Sequence, residues 1–290
     1  MLKDAMVYLI KRVMRLPFVP FPILLKLVRL DRRFRFVIPL NRELQFNEYQ
    51  GSLSVFVNTL YPIETEMLTG EYDPPTSQII KRFITKHSVS MDVGANVGAL
   101  TLLMAKIAID GVTIAIEPGP PTFVRLRNNL QLNPAISRNV RPYQVGLGDE
   151  EGELLWAEDK NNRGNAGLLD GVGTAVRVTT LDSLFQSTGL GSLDFLKIDV
   201  EGMEYEVIKG GLRTIEEHRP IIYFETLESF RESRGFDIYA KILHYLTPLG
   251  YAFFFVGNNA SLIRTSTLDI LLSSNTIAIP AEKLLESERH

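Results

Sequence analysis

The sequence predicts an α/β protein. It has a doubly wound, Rossmann-like sheet of six or seven strands, the last antiparallel, behind an N-terminal extension of helices and short strands. Three observations predict this. From residue 75 onward, runs with helix period alternate with short apolar runs, which means βαβ units and a parallel sheet. One such strand passes through a Gly-rich turn, "GANVG", into a helix, the form of a ligand-binding βα junction. In "FLKIDVEGMEYEVIKGG", residues 195–211, Lys197, Asp199 and Glu201 lie two apart on a strand, hence on one face. A strand inside a parallel sheet is apolar on both faces. Three charges on one face therefore place that strand's end at a cleft.

The elements follow in order. Ala5 to Leu16 and Ile23 to Leu30 read as two short basic amphipathic helices separated by Pro17, Pro20 and Pro22. "RFRFVI", "ELQF" and "SLSVFV" read as strands, with turns near Asn41 and Gly51. Residues 1–60 form this extension, and residues 61–290 the α/β domain. In the domain a helix, "TSQIIKRFITKH", precedes the strand "SVSMDV", the Gly-rich turn and the helix "ALTLLMAKIAI". The strand "VTIAIEP", the helix "PTFVRLRNNLQLN" and a strand near "RPYQVGLGD" come next. Residues 150–184 break the rhythm as a β insertion, "GELLWAED" and "TAVRVTTLDSL", around the polar loop "KNNRGNAG". The rhythm resumes with "LDFLKIDV", one helix over "MEYEVIKGGLRTIEEH", the strand "PIIYFET" and the helix "FDIYAKILHYLTPLG". "YAFFFV" and "NTIAIP" supply the last strands.

Composition bounds the chemistry. The chain has 290 residues, 45% of them hydrophobic and 22% charged, which is ordinary globular composition. It contains no cysteine, so disulfides, thiolate metal sites and a cysteine nucleophile are excluded, and a cytoplasmic location is consistent. The formal charge of −3 is unevenly spread. Nine Lys or Arg and two Asp fall within residues 1–36, a basic leader on an acidic body. Its longest uncharged run is too short for the roughly 20 apolar residues of a membrane span. Peripheral contact with anionic lipid is one use for it, and packing on the body or on a second subunit is the other. The core segment has no basic patch, so nucleic acid is not the expected substrate.

In "MDVGANVGALT" a strand ends at Asp92, and Gly94 and Gly98 flank the turn. The G-x-G-x-x-G spacing of a dinucleotide site is absent, and a carboxylate at Asp92 would repel a pyrophosphate. The next strand ends at Glu117, where such folds hold a ribose diol. The pair of acids suits S-adenosylmethionine, which has a ribose and a sulfonium cation but no phosphate. The plainer alternative makes Asp92 a helix cap and Glu117 an ordinary strand-end acid.

At this point the chain resembles a known family. "DVGANVGALT", "IEPGPPTFVRLRNNLQLN", "VTTLDSL" and "LKIDVEGMEYEVIKGG" occur in this order in the FkbM family of S-adenosylmethionine-dependent methyltransferases. "GEYDPPTSQIIKRFI" is similar to that family's lead-in, with Asp73 where Glu is more usual. The resemblance covers about residues 70–226, and residues 1–60 carry no part of it.

The resemblance implies a Rossmann-like methyltransferase sheet, S-adenosylmethionine as cofactor, and O-methylation of a sugar, glycan or secondary metabolite. The expected cofactor contacts are Asp92, Gly94, Asn96, Gly98, Thr101, Glu117, Pro118, Gly146, Leu147 and Asp199. Asp199 is the first choice as general base, Glu201 the second, with Glu204 one helical turn on. Lys197, deeper in the strand, would pair with an acid and hold it. His87 and His218 precede strands, His244 is mid-helix and His290 terminal, so histidine is not the expected base. Asp199, Glu201 and Glu225 could instead hold Mg²⁺ or Ca²⁺, though no metal is the preferred reading. The loop "NNRGNAGLL" either covers the substrate, with Trp156 and Arg163 as candidate acceptor contacts, or is a plain surface hairpin. The competing reading is a catalytically silent nucleoside-binding domain, recruited to a membrane as a scaffold by its basic N-terminus. The oligomeric state is left open.

Overall fold

The computed structural model describes residues 42–158, 166–168, 173–226, 238–265 and 274–287. The basic leader with its two expected helices, the run "RFRFVI", the turn near Asn41 and Arg163 lie outside the described residues. So do the readings that rest on them, including the membrane-recruited scaffold. Among the described residues no helix is long and apolar enough to cross a membrane.

The chain divides into two compact units, the first reaching Tyr72 and the second beginning at Asp73. In the first, β1 (Glu43–Tyr49) and β2 (Leu53–Asn58) form an antiparallel hairpin. Gln50 and Gly51, at φ 47° and 81°, make the tight turn between them. Alternation buries Leu53, Val55 and Val57 on one face and leaves Phe56 outside. A short helix, α1 (Pro62–Met67), starts on a proline whose missing N–H costs nothing at that position. Its buried Glu64 accepts from the Asn58 N–H at 2.7 Å.

The second unit opens with α2 (Pro74–Phe83), β3 (Val89–Val93), α3 (Ala99–Ile107), β4 (Val112–Ile116), α4 (Pro120–Gln131), α5 (Pro134–Ser137) and β5 (Val140–Tyr143). The insertion is β6 (Gly146–Gly148), β7 (Gly152–Glu158), β8 (Ala166–Leu168) and β9 (Thr174–Thr180), followed by α6 (Leu181–Thr188). Next come β10 (Phe195–Ile198), α7 (Glu204–Lys209), α8 (Leu212–His218), β11 (Ile221–Thr226) and α9 (Ile238–Leu246). The last elements are β12 (Tyr251–Val256), β13 (Leu262–Thr265), β14 (Ser274–Pro280) and α10 (Ala281–Ser287).

The main sheet has eight strands in the order β13-β12-β14-β11-β10-β3-β4-β5. β5, β4, β3, β10 and β11 run parallel, and β14 is antiparallel between β11 and β12. Seven strands with the last in the chain antiparallel match the expected fold class. β13 is the additional one. It is a half-exposed edge hairpin partner, with Ile263 54% exposed, so it lacks the apolar face that would mark it as a strand. The insertion forms a separate four-stranded sheet, β6-β9-β7-β8.

The expected single helix over 203–218 is two helices, α7 and α8. They part at Gly210–Gly211 because the chain there lies directly on the insertion. A Cβ on Gly210 would collide with the Gly148 carbonyl, and one on Gly211 would press on Leu181 at 3.0 Å. Chain order reverses between β3 and β10, since β4 and β5 continue on one side of β3 and β10 and β11 on the other. Ligands of open α/β sheets bind at the carboxyl ends of strands at such a switch point.

Candidate active site

The switch point explains the charged strand. Lys197 lies beside Asp92 in the parallel register of β10 and β3. Its Nζ reaches Asp92 Oδ1 at 3.0 Å and Asp199 Oδ2 at 3.4 Å. Burial alone would push the ammonium toward neutrality, but Asp92 and then Asp199 outweigh it and raise the Lys197 pKa. Asp92 is fully buried, and its second oxygen accepts from Thr101 Oγ1 at 2.6 Å. Both Asp92 oxygens are thus satisfied from within the protein. Thr101, expected at the cofactor, is buried and turned toward Asp92. The side chain of Asp199 is 40% exposed, open to a reactant while held by Lys197.

The turn after β3 is tied down on three sides. Gly94 and Ala95 donate to the Ile116 carbonyl at 3.0 and 2.9 Å. Gly94 is left-handed, φ 78°, and a Cβ on it would collide with the Asp199 carbonyl oxygen. Only glycine lets this turn touch the end of β10. Gly98 begins α3 in the same left-handed conformation. Asn96 donates its backbone N–H to Glu117 Oε2 at 2.9 Å, and Gly119 donates to Glu117 Oε1 at 2.9 Å. Glu117 therefore braces the turns after β3 and β4 together. Burial drives its pKa up to about 7, against the two backbone donors. Each of its oxygens keeps a second lone pair, which fits a ribose diol.

The segment from Asp199 to Glu204 is the most distorted part of the site. Glu201 and Gly202 are both left-handed, at φ 56° and 100°. For a non-glycine residue this costs on the order of 1 kcal/mol and persists where surrounding structure enforces it. Glu204 enforces it. Fully buried at the start of α7, its Oε1 accepts from the N–H groups of Val200 at 3.1 Å and Gly202 at 3.3 Å. Its Oε2 is buried without a hydrogen-bond partner among the described residues. Burial, opposed by those donors, raises Glu204 to about 7. Loss of surrounding water, then the charge of Asp199, raises Glu201 to about 7. Glu225, at the end of β11, is pushed to about 8 by burial and then by Asp199, Glu201 and Glu204. The fold thus gathers four acids at the tips of β10 and β11. Among the described residues, no group of three or more such side chains is arranged to hold a metal ion.

The remaining expected residues are placed less directly. Pro118 follows Glu117, and Gly146 approaches it across β6, a Cβ there falling 3.8 Å from Pro118 Cβ. Leu147 is buried in the main apolar core. His87 is exposed at the opposite end of the sheet, His218 packs on Phe185 at 4.9 Å, and His244 lies edge-on to Tyr245. Trp156, a candidate acceptor contact, packs against Gly119.

Two supports carried no signal in the sequence reading. Asn129 of α4 donates to the Val97 carbonyl at 2.8 Å and pins the Gly-rich turn from behind. Tyr223 neighbours Lys197 in register, and its hydroxyl meets Thr76 Oγ1 at 2.6 Å, with Thr76 bonded in turn to Asp73.

The chain is similar to known proteins. The family described as "Methyltransferase FkbM domain" matches residues 92–253. "Methyltransferase 1" of Beauveria bassiana is 28% identical over 220 residues, 64% of this chain and 86% of that protein. "Hexuronic acid methyltransferase AglP" of Haloferax volcanii is 28% identical over 144 residues, 49% of this chain and 57% of that protein. "2-O-methyltransferase NoeI" of Sinorhizobium fredii is 26% identical over 168 residues, 51% of this chain and 67% of that protein.

Proposed function

The chain belongs to the FkbM methyltransferase family and is an S-adenosylmethionine-dependent methyltransferase; on that premise we propose that it methylates a hydroxyl group on a sugar, glycan or other secondary metabolite, with Asp199 as general base. The names of two relatives, one a hexuronic acid methyltransferase and one a 2-O-methyltransferase, support a sugar-type acceptor and transfer to oxygen. The observation that carries the reading is the direct packing of the Gly94 turn on Asp199. The loop that would cradle the cofactor and the acid that would meet the acceptor are in contact.

When bound, the cofactor supplies a methyl group already activated on a sulfonium. Orientation is then the protein's main task, which can supply on the order of 7–11 kcal/mol. Glu117 would hold the ribose hydroxyls, and the backbone from Gly94 to Asn96 would flank the ligand. Lys197 holds Asp199 in place at 3.4 Å. The Asp199 carboxylate would accept the proton that the acceptor hydroxyl gives up, typically worth ~10²–10⁴-fold. Burial raises Glu201 and Glu225, to about 7 and 8, which favours their donating a hydrogen bond to neighbouring acceptor hydroxyls.

The test is release of S-adenosylhomocysteine from S-adenosylmethionine over a panel of neutral sugars, uronic acids and polyhydroxylated metabolites, followed by mild alkali on the product. Transfer to a hydroxyl gives an alkali-stable ether. A methyl group freed by alkali would be a carboxyl ester and would contradict the proposal.

A further inference from the structure

Trp156 stands on β7 of the inserted sheet, buried but outside the main apolar core. Its indole ring lies flush against Gly119. A Cβ on Gly119 would collide with Cζ2, and would stand 2.5 Å from Cε2 and 2.8 Å from Nε1. The backbone at Gly119 is at φ −66° and ψ 116°, a conformation any residue adopts. Its dihedrals therefore do not demand glycine, and the indole does. The same Gly119 donates its N–H to Glu117 Oε1. A continuous contact thus runs from the inserted sheet through Trp156 and Gly119 to the carboxylate assigned to the ribose. The sheet touches this turn again where Gly146 of β6 meets Pro118. The main chain that carries the indole is itself closely packed, since a Cβ on Gly173 would stand 2.5 Å from the Trp156 carbonyl oxygen.

We propose that Trp156 is a positioning residue for the cofactor. Its ring clamps the Pro118–Gly119 turn, fixes the direction of Glu117, and makes the inserted sheet a working part of the cofactor site. The inference rests on the reading of Glu117 as the ribose acid.

Trp156 is the single tryptophan of the chain, so its emission reports on this contact alone. The experiment titrates S-adenosylhomocysteine into wild type, Gly119→Ala, Trp156→Ala and the Gly119→Ala/Trp156→Ala pair by calorimetry, with tryptophan emission followed in the first two. Far-UV circular dichroism melts set aside any variant that does not fold, and Trp156→Leu replaces Trp156→Ala if that variant fails. Emission of the wild type should change on saturation. Gly119→Ala, which drives the ring off the turn, should weaken binding about tenfold to a hundredfold. Removing the ring in the double variant should relieve the collision and bring affinity back to within about threefold of Trp156→Ala alone. Unchanged emission at calorimetric saturation, full affinity in Gly119→Ala, or a double variant as weak as both losses combined would each overturn the proposal while leaving the cofactor reading intact. A wild type that does not bind would overturn both.

Discussion

The two sides of the site treat their carboxylates in opposite ways. At the tips of β3 and β4, Asp92 and Glu117 each have both oxygens supplied with a donor, from Lys197, Thr101, Asn96 and Gly119. At the tips of β10 and β11, Glu204 keeps a buried oxygen without a partner among the described residues, Glu201 is left-handed, and Glu225 is crowded by three other acids. A fully satisfied network holds a shape. A crowded one, with lone pairs left over, stays open to a reactant, an arrangement common at reactive sites. In the proposed function the first side holds the cofactor and the second handles the acceptor hydroxyl and its proton. Lys197 joins them, with one acid of each side within reach.

The largest expected effect would break this division at its reactive side. Asp199→Asn should lower turnover by ~10²–10⁴-fold while S-adenosylhomocysteine affinity, read by calorimetry, stays within about threefold. Turnover close to wild type would move the base to Glu201 or Glu225. Next is the joint between the two sides. Lys197→Met leaves Asp92 buried without its cation, a loss of about 3–5 kcal/mol. Urea denaturation should show it, and a wild-type midpoint would mean the pair contributes little.

On the binding side, Glu117→Ala unties two turns and removes the charge-assisted bond proposed to the ribose. It should cost about 1.5–3 kcal/mol, or roughly 10- to 150-fold in affinity, with turnover at saturating cofactor much less affected.

The smallest effect sharpens the comparison through pH. Glu117, Glu201, Glu204 and Glu225 have pKa values raised in the folded state, to about 7 or 8. Between the ordinary carboxylate range and these values the native state binds more protons than the unfolded chain. Their contribution to stability is therefore complete at low pH and is lost as pH rises through about 7 to 8. The thermal midpoint should carry a falling component from pH 5 to pH 8, and Glu204→Gln should flatten it. An identical slope in that variant would show that Glu204 does not titrate there.

Much of this was legible in the sequence because acids at the ends of apolar strands are conspicuous. Asp92, Glu117, Asp199 and Lys197 announced themselves against Val, Ile and Leu neighbours, and strand–helix alternation gave the sheet. What was hidden depends on contacts between distant positions. Asn129 holds Val97 across 32 residues and Tyr223 meets Thr76 across 147. No local pattern specifies such pairs. The break at Gly210–Gly211 was missed for the same reason, since its cause is the Gly148 carbonyl in another element. The contact of Trp156 with Gly119 was hidden likewise, since the two stand in different elements.

The most direct measurement is one calorimetric series, S-adenosylhomocysteine into wild type, Glu117→Ala and Asp199→Asn, with NADH as control. The division of the site predicts tight binding by wild type, a roughly 10- to 150-fold loss in Glu117→Ala, near-normal binding in Asp199→Asn and no response to NADH. Equal losses in both variants would contradict it, because binding and reaction would then share one set of carboxylates.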